Sequence, residues 1–225
     1  MSAAMKEQFP KSRIEPRWPV ALTILAAVIL LSVLPRTLRL APVWLTSIVG
    51  FAVLVPMAAV ALTAGKAKWL RAERIITLLV VVFGILAALT TLTNLIAAMV
   101  KGSVELSGAQ LLASGIAVWV SNVLIFSLLY WHMDRGGPES RVNDASRRPD
   151  WLFPQEGAPT EHVRPEWRPA FVDYLFLGYS TATAFSTTDV LPLTARAKLL
   201  MMLESSISLV TMVVVASRAI NIRGS

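Results

Sequence analysis

Apolar residues in this chain are gathered into runs, and four of those runs reach or exceed the ~20 residues that a helix needs to cross a bilayer. They are Ala41 to Ala64, Ile75 to Val100, Gly108 to Trp131 and Ala195 to Asn221. Two shorter runs cover Val20 to Leu34 and Ala170 to Thr187. In hydrocarbon every backbone N–H and C=O must find its partner inside the segment, which leaves helices or closed barrels. Runs of this length, without strict alternation, select helices. The pattern predicts an all-α, polytopic membrane helix bundle of five to six transmembrane helices. A hydrophobic content of 55% and a mean hydropathy of +0.62 agree.

Several function classes fall away early. The chain has no cysteine, hence no disulfide framework, thiolate metal site or Cys nucleophile. His132 and His162 are too few for a histidine-rich metal cluster. No paired carboxylates, nucleophile with base, or Gly-rich phosphate loop is visible, so neither an enzyme nor a cofactor is expected. The net charge of +7 belongs to loops between spans, where Lys and Arg set orientation and meet anionic head groups. The expected partners are the lipid bilayer, monovalent cations and other copies of the chain, and not nucleic acid.

Residues 1–18 form a polar, basic N-terminal tail, and residues 19–132 a four-helix membrane region. Pro56 lies inside the second run, where a kink is expected between Ala52 and Pro56. Tyr130 and Trp131 sit where an aromatic belt would lie. Residues 133–168 are a loop containing Pro138, Pro149, Pro154, Pro159 and Pro165. No hydrophobic period runs through it, so irregular structure is expected, with Trp151, Leu152, Phe153 and Trp167 against the membrane surface. Residues 169–221 form a helical hairpin and 222–225 a tail.

The hairpin carries a resemblance. Thr183 to Asp189 lies where bacterial potassium channels carry T-x-V-G-Y-G-D, and Pro192 lies where many have a nearby proline. Ala195 to Glu204 looks like the start of their inner helix, and Val214 to Arg218 resembles its end. The resemblance covers about the last quarter of the chain and implies a pore helix, a filter and an inner helix. Ser186-Thr187-Thr188 stands where the family has Gly-Tyr-Gly, although Asp189 matches. Glycine lets a filter backbone alternate hand so that its carbonyls line the path. Ser and Thr do this only at a cost, so potassium selectivity is not expected. The same segment is also similar to uncharacterised bacterial multi-span membrane proteins.

Orientation follows from charge. The N-terminal tail and the second loop hold four Lys or Arg each, and the long loop six. The first loop, the turn with Arg196 and Lys198, and the C-terminal end with Arg218 and Arg223 hold two each, and the third loop one. Six crossings with the N-terminus inside place sixteen basic residues inside and five outside, so both termini are expected in the cytoplasm, across an inner (plasma) membrane. A potassium-channel pore helix enters from outside and returns there. After four spans this would place the N-terminus and long loop outside, against the charge. Six crossings are therefore expected, with Ala170 to Thr187 just long enough to span.

The candidate pore or transport residues are Thr183, Ser186, Thr187, Thr188, Asp189, Glu204, Ser208 and Thr211. Glu204, Ser208 and Thr211 share one helix face by spacings of four and three. A carboxylate within a span costs roughly 2.5–3.5 kcal/mol on insertion scales, which makes Glu204 the leading candidate. The hydroxyls before Asp189 suit either a hydrated path or close helix packing. Asp173 is placed to cap the fifth run. Asn94 and Asn122 are deep enough to need interhelical partners. The chain thus reads as an ion-channel-like membrane protein or as a non-conducting one that keeps the module for assembly.

Overall fold

A computed structural model describes residues 15–63, 67–100, 107–144, 146–159, 161–164, 167–183 and 189–221. The first helix, α1 (Trp18–Val33), carries Pro19 in its first turn, where the missing N–H has no helical partner to lose. Helices α2 (Val43–Leu62), α3 (Ala67–Val100) and α4 (Gly108–Met133) follow. Helix α2 runs continuously through Pro56. A capping box starts α4, with the Gln110 N–H donating to Ser107 Oγ at 3.2 Å and the Ser107 N–H to Gln110 Oε1 at 2.9 Å. Beyond α4 come a short helix α5 (Pro138–Asn143), a two-residue strand β1 (Trp151–Leu152), helix α6 (Phe171–Thr183), strand β2 (Leu191–Pro192) and helix α7 (Ala195–Asn221). Four helices, α2, α3, α4 and α7, are long and apolar enough to cross a membrane. The described residues are thus an all-α membrane bundle with one small ribbon.

Helix α4 is the axis of the bundle, packed by α1, α3, α6 and α7. One end is marked by charged contacts between distant segments. Arg17 pairs with Glu73 at 2.9 Å, and Arg141 with Glu15 at 3.1 Å. The Trp131 indole donates to Glu15 at 2.9 Å and packs edge-on against Phe171. The starts of α1, α3 and α6 therefore meet the end of α4 there; we term it the loop end. At the far end Leu38, Leu95 and Leu111 cluster against Val214, and a Cβ on Gly115 would lie 2.3 Å from Val215. Helix α7 thus runs from the loop end to the far end, antiparallel to α4.

Helix α6 differs from the expected fifth span. It has 13 residues, about 20 Å of helix, against a hydrocarbon core of about 30 Å. Its last turn reaches only Trp119, whose indole donates to the Ala182 carbonyl at 3.4 Å and whose ring meets Tyr179 edge-on. Trp119 lies about 18 Å before Trp131 along α4, near that helix's middle. After Thr183 the chain is next described at Asp189, and β2 then pairs antiparallel with β1, Trp151 opposite Pro192 and Leu152 opposite Leu191. Strand β1 belongs to the long loop, so the described part of α6 runs from the loop end to mid-bundle and the chain is next described back at the loop end. The start of α1 and the end of α7 consequently lie at opposite ends of the bundle.

The long loop is also better ordered than its composition suggests. A left-handed turn at Arg135, Gly136 and Gly137 (φ 51°, 78° and 103°) closes α4. Trp151 and Phe153, expected against the membrane surface, are instead buried in the main core. Proline-rich composition says little once large aromatics find a cavity to fill.

Candidate functional site

Glu204 is fully buried between α4, α6 and α7. Its Oε2 accepts the Tyr130 hydroxyl at 2.5 Å, while Oε1 has no hydrogen-bond partner among the described residues. One turn away, Asn122 Nδ2 donates to the Glu204 backbone carbonyl at 3.1 Å and to Ser208 Oγ at 3.2 Å. Ser208 is fully buried, and Thr211, at 1% exposure, donates back to the Ile207 carbonyl at 2.7 Å. The expected face of Glu204, Ser208 and Thr211 exists, and it is turned inward against α4 of the same chain. Glu204 lies two turns below Arg196, about 12 Å inside the helix.

Helix α6 enters this cluster through a close contact. A Cβ built on Gly178 would lie 2.5 Å from Ser127 Oγ, 3.2 Å from the Val123 carbonyl and 3.4 Å from Glu204 Oε1. Only glycine lets the two backbones approach this far. Near the tip of α6, Ser205 Oγ donates to the Thr181 carbonyl at 3.1 Å, and Thr183 Oγ1 donates to the Ser180 carbonyl at 2.9 Å. The described end of α6 therefore lies halfway across the bundle, beside α7.

The remaining candidates separate from this cluster. Thr183 is spent on its own helix, and Asp189 is exposed. Ser186, Thr187 and Thr188 lie outside the described residues. Asp173 caps α6, accepting the Ala170 N–H at 2.8 Å.

Sequence reading missed a second buried network, above Glu204 at the loop end. Asp134 Oδ2 accepts the Tyr174 hydroxyl at 2.5 Å, and Oδ1 accepts the Asp150 N–H at 2.8 Å. Asp150, itself fully buried, holds Arg196 through two bonds of 2.6 Å and Thr194 through one of 2.7 Å. Trp151 follows, its ring 4.8 Å from that of Tyr130 and its indole N–H 3.3 Å from Met201 Sδ. Tyr130 thus links the two networks; expected with Trp131 in an aromatic belt, it is instead fully buried in the core, as Trp131 is. The only sequence signal for the second network was a pair of aspartates beside aromatics in a loop.

No family model matches the chain, and no curated protein or solved structure matches it. Fold and site together define the class: a helical membrane protein with a buried intramembrane carboxylate.

Proposed function

We propose that this is an integral membrane protein that handles a proton or a monovalent cation at Glu204, on a channel-like module not suited to potassium selection. In this reading α1, α2, α3, α4 and α7 cross the bilayer, and α6 is a re-entrant half-helix. One observation carries the proposal: a carboxylate with one oxygen unpaired among the described residues, buried two turns inside α7 beside a helix whose described part ends mid-bundle. Broken helices place unfulfilled carbonyls and a negative dipole end at membrane depth, a setting that favours cations. An ionisable group there is a functional candidate because its burial is costly. The Glu204 face is sealed within one chain, so the reading does not require a symmetry mate.

Charge supports the loop end as the cytoplasmic face. Re-entry moves Arg196 and Lys198 to that face and Arg218 and Arg223 to the other, so the split stays sixteen to five. The half-helix then enters from the cytoplasm of an inner-membrane protein, opposite in sense to a potassium-channel pore helix.

Flux of protons, sodium and potassium into liposomes holding purified protein tests the proposal. Glu204→Gln keeps an acceptor for Tyr130 and should cut flux at least tenfold without lowering thermal stability. Parental flux in the Gln variant, or no flux above empty liposomes in the parent, would count against it. A second reading, that the network only locks the helices together, is favoured by the burial of Ser208 and Thr211 and their bonds to Asn122 and the Ile207 carbonyl. It predicts no flux and no effect of Glu204→Gln.

A further inference from the structure

We infer that residues 150–153 form a strap that seals the Glu204 network from the loop end, held shut by the Asp150–Arg196 ion pair. The inference rests on reading Glu204 as the ion-handling group and assigns the gate to that site. Trp151 is fully buried and lies directly on Tyr130, whose hydroxyl is bonded to Glu204. An ion reaching Glu204 from the loop end along α7 would have to pass this indole. Phe153, at 2% exposure, packs edge-on against Tyr174 and closes the side toward α6.

The strap is held by the burial of Trp151 and Phe153 and by the bonds around Asp150. The β1–β2 ribbon has two residues in each strand, too short to be stable alone. The Leu193 N–H bonds the Asp150 carbonyl at 2.8 Å, the Asp150 N–H bonds Asp134 Oδ1 at 2.8 Å, and the Asp150 carboxylate accepts Thr194 Oγ1 and the paired bonds from Arg196, its one ionic partner among the described residues. The Asp150 carboxylate is fully buried, whereas the Arg196 side chain is 57% exposed. The clasp can therefore be reached from the aqueous loop end. Freeing Arg196 leaves a buried carboxylate without its counter-charge, which favours withdrawal of the whole segment toward water. The ribbon also joins the strap to the end of the re-entrant segment, so both would move together.

The test uses the absence of cysteine in the chain. Glu204→Cys introduces one thiol beneath the strap, and a membrane-impermeant methanethiosulfonate reagent is applied to the loop face of reconstituted protein. With the strap intact, labelling should be slow. Adding Arg196→Gln, at a position more than half exposed, should speed loop-face labelling about tenfold or more, a factor that corresponds to roughly 1.4 kcal/mol. Trp151→Ala should speed it further. Fast labelling with the strap intact, an unchanged rate in Arg196→Gln, or a rise that is equal from both faces would each overturn the inference. Labelling needs no transport, so a failed flux assay and a failed strap are told apart.

Discussion

Asn122 and Gly178 show how much of the site depends on single atoms. Asn122 uses both amide hydrogens across the α4–α7 contact, one on a carbonyl and one on a hydroxyl. Interhelical bonds of this kind average about 0.6 kcal/mol and reach about 1.7 kcal/mol within membranes. Asn122→Ala should therefore destabilise the protein by about 1 kcal/mol in reversible unfolding from mixed micelles. Glu204→Leu should cost more, about 1–3 kcal/mol, because the Tyr130 hydroxyl is left buried and unpaired. Gly178→Ala should also cost about 1–3 kcal/mol through overpacking. Ser127→Ala in the same chain removes the atom that the new methyl meets first and should restore part of that loss. An additive double-mutant cycle would mean that Gly178 and Ser127 do not touch. Of these residues, Glu204, Ser208 and Thr211 were legible from helical spacing, because period and polarity are local properties. Tyr130 and Gly178 were not, since their roles exist only once three helices meet.

At the scale of elements, the four long spans follow from run length alone; α2, α4 and α7 lie within two residues of their apolar runs, and α3 starts eight residues earlier, through the basic segment before Ile75. The fifth run is less uniform than its length suggests. Its 18 residues include Asp173 and a cluster of hydroxyls, and its described helix covers Phe171–Thr183. Charge counting does not decide the path, because the start of α7 (Arg196, Lys198) and the C-terminal end (Arg218, Arg223) carry two basic residues each. Exchanging their sides leaves the total unchanged. The long loop did mislead: its prolines suggested irregular chain, while Trp151 and Phe153 supply enough buried aromatic surface to fix it. Trp151→Ala should accordingly destabilise the protein by about 3–5 kcal/mol. Leu152→Ala, its half-exposed neighbour, should cost far less. Similar losses at both positions in thermal unfolding would argue that the loop is held by its backbone instead.

For the whole molecule, the chain is a bundle built around α4, and the proposed path has a half-helix that goes in and comes back, with the start of α1 and the end of α7 at opposite ends. Everything said of Glu204 depends on that path, since a fully spanning fifth helix would carry the start of α7, and Arg196 with it, to the other side. Single-cysteine labelling at Ser146 and at Leu193 decides it, both residues being exposed. The account predicts that Ser146→Cys and Leu193→Cys are modified by an impermeant reagent from the same face of the membrane. Modification of Leu193→Cys only from the face opposite Ser146→Cys would contradict it and restore six crossings.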